Sequence, residues 1–296
     1  MAWLDWSVTA LGIVVVLVTL RDIFHTLWHP SGRGDLSHRV MSGVWRLGGR
    51  LRNRTSGGVL TGPVAMLLVI LMWITLLVLG GALVYAPHVP EGFLFQSGLD
   101  VSARSDVLDA VYLSTVALAT LGLGDIVPTA GWLRIAVPVQ ALIGFGLLTA
   151  SVTWVLQVYP ALIRRRALAV RLAQLRAVDA GDLLLDPHSY SAATLLESLA
   201  TGLAQARVDL TQYSSTYYFR DGSAEASLAA TAGVAAHLAE VGRTAPRADV
   251  RVAAAVLDRA LADLAQVLDG DFLHVGGDTE HVLAAYARDH HYAGGS

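Results

Sequence analysis

The chain contains no cysteine, and none of its 21 basic residues is lysine; all are arginine. Without cysteine there is no disulfide and no thiolate metal site. Charge of either sign is sparse. Only 15% of the 296 residues are charged, against 54% hydrophobic, and mean hydropathy is +0.53. An ordinary soluble domain carries about 25% charged residues, so the shortage points to membrane spans. A net charge of −3, with no basic tract interleaved with aromatics, argues against nucleic acid as a partner. No Ser-His-Asp arrangement and no phosphate-binding loop is present, so the chain reads as a non-enzyme. Its ten histidines are scattered without a supporting carboxylate spacing, and no cofactor is expected. The all-arginine usage, with abundant Ala, Val, Leu and Gly, reads as a GC-rich bacterial gene.

What is present is a set of long apolar runs. The first extends from Trp3 to Leu20 and continues as a helix to about Trp28. Its start carries Asp5 and no positive charge, and no small-residue cleavage site follows, so a retained helix is expected. The second runs from Gly62 to Tyr85 and the third from Gly131 to Tyr159. Each exceeds the ~20 residues that cross a bilayer core. The segment Asp106 to Ala119 is too short to span and reads as a re-entrant helix. Such a helix is tolerated where it lines a watery cavity. Arginines cluster between the first two runs (Arg33, Arg39, Arg46, Arg50, Arg52, Arg54) and after the third (Arg164, Arg165, Arg166, Arg171, Arg176). Between the second run and the short helix only Arg104 appears, beside Glu91 and Asp100. Basic loops stay cytoplasmic. A multi-pass plasma-membrane protein follows, with the amino terminus outside and everything after residue 160 inside. Trp3, Trp6, Tyr85 and Trp132 are expected in the outer aromatic belt, and Trp28, Trp154 and Tyr159 in the inner one. Leu36 to Leu51 reads as a basic amphipathic helix on the inner leaflet, and segment 36–54 as a contact for anionic lipid.

Between the short helix and the third run stands Thr120-Leu121-Gly122-Leu123-Gly124-Asp125. A dehydrated cation needs a ring of oxygens, and backbone carbonyls supply it when successive residues turn their C=O groups one way. That requires alternating signs of φ, which glycine permits at Gly122 and Gly124. Thr120 adds a hydroxyl at the inner end, and Asp125 concentrates cations at the mouth. This stretch resembles the selectivity filter of potassium channels, commonly T-V-G-Y-G-D. From Thr120 to Thr153 the chain is similar to the filter and inner helix of simple bacterial potassium channels of the two-helix type, without a gap through Pro128, Arg134 and Gly144. The resemblance covers about Gly62 to Tyr159. It implies a homotetramer, with potassium held at the carbonyls of Thr120, Leu121, Gly122 and Leu123. It also implies a hinge at Gly144 and a cavity face of Phe145, Leu148, Val152 and Leu156. Close helix packing is the other reading of Gly144.

The resemblance is incomplete. The family's filter tyrosine is Leu123 here, and the matching pore-helix positions, Leu113 and Ala117, are also apolar. A hydrogen-bonded cuff is exchanged for a packed one; one polar partner left buried alone would cost ~1–3 kcal/mol. Tyr112 stands where it can bond Asp125 behind the filter. Ser105 or Asp106 can cap the short helix. Arg21, Asp22 and His25 read as a group near the inner interface.

Residues 161–296 are Ala-rich and acidic with helical periodicity. Helices are expected near 161–180, 190–216, 223–243, 248–268 and 278–291, with Val252, Val256, Leu261, Leu264 and Val267 as a core stripe. The aromatic group Tyr213, Tyr217, Tyr218 and Phe219 reads as bundle packing. The domains expected are therefore a helix at 1–28, a basic linker at 29–61, a pore domain at 62–160 and a helical cytoplasmic domain at 161–296. The whole is an all-α membrane protein with a tetrameric potassium-channel-like pore. Its expected activity is potassium-selective conduction. A weakly selective cation channel, or a non-conducting membrane sensor or scaffold, stand as alternatives.

Overall fold

The computed structural model describes residues 2–29, 34–51, 60–96 and 105–292. Arg33, Arg52, Arg54, Asp100, Arg104 and the Gly294–Ser296 tail lie outside the described residues, as do the side chains of Arg50 and Leu51. The chain divides into two compact units. The first comprises α1 (Ala2–Leu27), the beginning of α2 (Asp35–Leu51), most of α3 (Thr61–Tyr85), α4 (Asp106–Leu118) and the first part of α5 (Leu133–Ala177). The second comprises the remainder of α2, of α3 and of α5, with the helices that follow. Trp3–Leu27, Thr61–His88 and Leu133–Ala177 are each long and apolar enough to cross a membrane. Among the described residues the protein is all-α in architecture, with three helices of membrane-spanning length and composition. The exception to helix is a short antiparallel pair, β1 (Phe93–Phe95) with β2 (Ile126–Pro128), which the sequence pattern did not suggest.

In the first unit α3 contains no charged residue, so it can be buried or face lipid on any side. Small residues bring it close to α1. A Cβ on Gly12 would stand 2.6 Å from the Gly80 carbonyl oxygen, so the two backbones meet there. Asp22, read from sequence as interfacial, is instead buried, at 4% exposure. Its carboxylate accepts from the backbone N–H groups of Leu36 at 2.7 Å and Ser37 at 3.2 Å, and from Trp73 Nε1 at 2.8 Å. One side chain of α1 thus caps the amino end of α2 and binds α3. Trp73 in turn packs on Trp154 of α5, with ring centroids 5.7 Å apart. Trp154 and Tyr85, expected at the aromatic belts, are buried, because each finds protein partners. Trp3, Trp6, Trp28, Trp132 and Tyr159 remain on the surface.

The inner helix does not end near Pro160. It is one helix of 45 residues, about 68 Å at 1.5 Å per residue, with Pro138 and Pro160 inside it. In the second unit Ala161 and Leu162 are buried beyond Pro160, so packing holds the helix through the break a proline would otherwise favour. The bundle there adds α6 (Gly181–Leu185), α7 (Ala192–Gln212), α8 (Leu228–Arg243), α9 (Ala248–Leu268) and α10 (Thr279–Asp289). α9 packs on α7 and α8. Its buried face is Val250, Leu257, Leu261, Leu264 and Leu268. Val252 and Val256, expected in the core, are 65% and 50% exposed. Alanines at 253 and 254 let the α9 backbone sit close to its neighbours, which rotates the stripe away from those valines.

Three consecutive arginines of α5 are bound to this bundle. Arg164 makes a two-pronged pair with Asp209, at 2.9 and 2.7 Å. Arg165 donates to the carbonyls of Thr216 and Phe219 and to Asp221, and Arg166 Nε reaches Asp221 at 2.7 Å. The second half of α2 is also consumed here. Trp45 is buried against Tyr217, Tyr218 and His290, and its Nε1 donates to Asp289 at 2.9 Å. A tryptophan of the segment read as lying on the inner leaflet is thus part of the bundle's core. Tyr217, Tyr218 and Phe219 are buried as packing residues.

Candidate functional site

The short helix α4 spans 13 residues and places Asp106 and Asp109 in its first turn, where the helix dipole favours negative charge. Ser105 occupies the cap position, but its side chain makes no capping hydrogen bond; the cap expected there is not formed. The carboxyl end is closed differently. Thr120 N–H donates to the Ala117 carbonyl and Leu121 N–H to the Val116 carbonyl, each at 3.0 Å. This pair of bonds is the arrangement in which a helix usually terminates on glycine with positive φ. Here the residue is Thr120, at φ +58°. A β-branched side chain resists that region, at about 1–2 kcal/mol.

The sign of φ then alternates. Thr120, Gly122 and Gly124 are positive, at +58°, +56° and +80°, while Leu121 and Leu123 between them are not. Successive carbonyls of such a backbone can line one side. Ala119 to Gly124 are all exposed in the single chain, and a Cβ on Gly122 or Gly124 would meet nothing within 4 Å. At the far end of the stretch Asp125 is held three ways. Tyr112 Oη donates to its Oδ2 at 2.6 Å, Ile126 N–H donates to Oδ1 at 3.1 Å, and Gln96 N–H donates to its backbone carbonyl at 2.9 Å. The strand pair continues from that last bond, with Phe95 opposite Ile126 and Phe93 opposite Pro128.

The three apolar residues expected to form a packed cuff are not brought together within one chain. Leu113 is 4% exposed and belongs to a cluster with Tyr85, Phe93, Ala110, Ile126 and Leu133. Leu123 is outside that cluster and 61% exposed. Ala117 is buried on the helix itself. Helical spacing explains this: Leu113 faces the same side as Ala110, which is the side turned to Tyr85.

Behind α4 stands a polar network that sequence reasoning missed. Tyr85 Oη donates to Gln140 Oε1 at 2.6 Å. Gln140 Nε2 lies 2.7 Å from Ser114 Oγ, 3.3 Å from the Ser114 carbonyl and 3.5 Å from the Leu77 carbonyl. Ser114 Oγ donates to the Val78 carbonyl at 2.7 Å. Gly81 leaves the room: a Cβ there would stand 2.4 Å from Gln140 Nε2. The available signal was Gln140 itself, an amide midway along an otherwise apolar run.

On α5, Gly144 lies against the end of α4. A Cβ on it would stand 1.8 Å from the Leu118 carbonyl oxygen, so close approach of two backbones accounts for this glycine. Phe145, Leu148, Val152 and Leu156 are all exposed in the single chain. Beside them is an apolar recess of about 270 Å³ that includes Ile70, Ile74, Leu118, Thr120 and Ser151.

Comparison with known proteins supplies two relations. Residues 69–159 match the family described as "Ion channel". An uncharacterized membrane protein of Bacillus subtilis (strain 168), YdjJ, is 27% identical over 161 residues. That alignment covers 53% of this chain and 46% of the relative, so the chain spans about half the length of the curated relative it matches. No solved structure matches.

Proposed function

From the premise that residues 69–159 are an ion-channel module, we propose that four copies of the chain form a potassium-selective cation pore. The filter is Thr120 to Asp125, with potassium replacing its water by the carbonyl oxygens of Thr120, Leu121, Gly122 and Leu123. The observation that supports this reading is the alternating φ along an exposed backbone that begins at a helix carboxyl end. A threonine kept in the left-handed region, where glycine is easier, supports a need for its hydroxyl at the inner end of the filter. Asp125, oriented by Tyr112, draws cations to the outer mouth. Gly144, Phe145, Leu148, Val152 and Leu156 line the cavity and gate. The amino terminus lies outside and the residues after 160 lie in the cytoplasm. Anionic lipid contacts segment 36–54, in which Arg39 and Arg46 are exposed.

The test is the reversal potential of purified protein in a planar bilayer, with potassium on one side and sodium on the other. A value near the potassium equilibrium potential supports the proposal. Near-zero potential with real current supports a weakly selective cation pore of the same architecture. That second reading is favoured by Leu123, whose side chain has no hydroxyl to anchor. Gly122→Ala is expected to abolish conduction, because alanine resists φ near +56°; unchanged current in that variant defeats the filter.

A further inference from the structure

We infer that Gln140 is a positioning residue for the filter and sets its selectivity, fixing from behind a pore helix whose apolar residues Leu113 and Ala117 and filter residue Leu123 are not brought together within one chain. The inference rests on the filter reading above. Filter carbonyls coordinate only if the pore helix that carries them is fixed to a fraction of an ångström. Tyr112 of α4 is tied to Asp125 at the far end of the glycine stretch, and Ser114 of the same helix is tied to α3 and α5. Gln140 projects from α5 and is buried, as are Tyr85 and Ser114. Its amide uses both ends: the oxygen accepts from Tyr85 of α3, and the nitrogen bonds Ser114 of α4. Ser114 passes its own proton to the Val78 carbonyl, back on α3. Three helices therefore meet in one closed set of hydrogen bonds.

The stereochemistry is demanding. The amide must present oxygen to Tyr85 and nitrogen to Ser114, since Ser114 Oγ already donates to Val78 and can only accept from Gln140. A leucine fills the volume and satisfies neither partner. The backbone at Gly81 is open only because no Cβ is present. Ser114 stands on α4 six residues before Thr120, whose N–H is bonded to the last turn of that helix, so displacement of Ser114 is passed to the first carbonyl layer. The lock therefore acts through α4 on ion coordination, without touching the ion.

The experiment compares native chain with Gln140→Leu, Ser114→Ala and the double variant in planar bilayers. Two readouts are taken, the potassium-to-sodium permeability ratio and the unitary conductance. Both are independent of how much protein inserts, so loss of stability alone moves neither. Gln140→Leu is expected to lower the permeability ratio about five- to tenfold, the scale of one lost net hydrogen bond. Ser114→Ala should act in the same direction, and the double variant should go no further than the stronger single. If the native pore is unselective, the same non-additive pattern is expected in unitary conductance. Should Gln140→Leu fail to assemble, Ser114→Ala carries the test, because it removes a single hydroxyl. Variants that match the native chain in both readouts, or effects that simply add, overturn the lock while leaving the filter reading intact. A native chain that passes no current under any voltage defeats the filter reading, and the lock with it.

Discussion

The two units of this protein hold their buried polar groups in different ways. In the first, Tyr85, Gln140 and Ser114 are neutral, and the one buried carboxylate described, Asp22, is neutralised by N–H groups from two helices. In the second, Arg164, Arg165 and Arg166 are bound to Asp209 and Asp221. The same helix, α5, carries both chemistries: Gln140 and Gly144 along one stretch, three adjacent arginines along another. The difference follows the surroundings. An ion in hydrocarbon is expensive, so neutral donors and acceptors serve there. Beyond the span, water and helix ends lower that cost, and paired charges give direction and geometry.

The comparison can be broken most severely at Asp221. Asp221→Ala leaves Arg165 buried without its carboxylate, a loss of roughly 3–5 kcal/mol. The variant is expected to melt far below the native chain when unfolding is followed in detergent, and an unchanged melt would remove the ionic account of the second unit. Asp22→Ala comes next. It strands two backbone N–H groups and an indole, roughly 2–4 kcal/mol. Asp22→Asn should recover part of that loss, because its amide oxygen still accepts; equal melts for the two variants would mean that Asp22 only fills space.

His290 gives a smaller, graded effect confined to the second unit. Burial, then the neighbouring Arg165 guanidinium, pushes its pKa from 6.5 down to about 3. The unfolded chain binds this proton more readily than the folded one. Stability is therefore full above pH 6.5 and falls as the pH drops toward about 3, by about 1.4 kcal/mol per unit. Melts of native chain and His290→Gln between pH 7.5 and 5 should diverge, with the variant less acid-sensitive; parallel curves would contradict the assignment. The smallest effect is expected at Arg243, whose pair with Asp258 is half-exposed on both sides. Arg243→Ala should change stability by less than about 1 kcal/mol, and less still in high salt.

The alternating backbone of Thr120 to Gly124, the short helix before it and the long apolar helices were legible because each is a local pattern. Alternating glycines, a span-length apolar run and an acidic first turn need no knowledge of neighbours. The hydrogen bond from Tyr112 to Asp125 was legible for the same reason: both residues belong to one helix-and-return segment. What was not legible depends on which faces meet. Tyr85 and Trp154 look like belt aromatics until α5 and α3 bring Gln140 and Trp73 to them. Asp22 looks like a snorkelling acid until the start of α2 arrives at its carboxylate. On α9 two apolar stripes compete, and only the close approach allowed by Ala253 and Ala254 selects Leu257 over Val256. The third apolar run ends at Tyr159 and the next helix was expected from 161, yet packing beyond Pro160 joins the two as one helix.

The turn at Thr120 has a thermodynamic consequence. The N–H groups of Thr120 and Leu121 are bonded to carbonyls of the last turn of α4. The last helical turn and the backbone of Thr120 and Leu121 are therefore coupled, so that order in one supports order in the other. On the proposed filter reading, an ion seated at the Thr120 carbonyl acts as a helix-stabilising ligand and its departure as a fraying event. On that reading amide exchange at Thr120 and Leu121 slows as potassium concentration rises, and two backbone protons gauge occupancy.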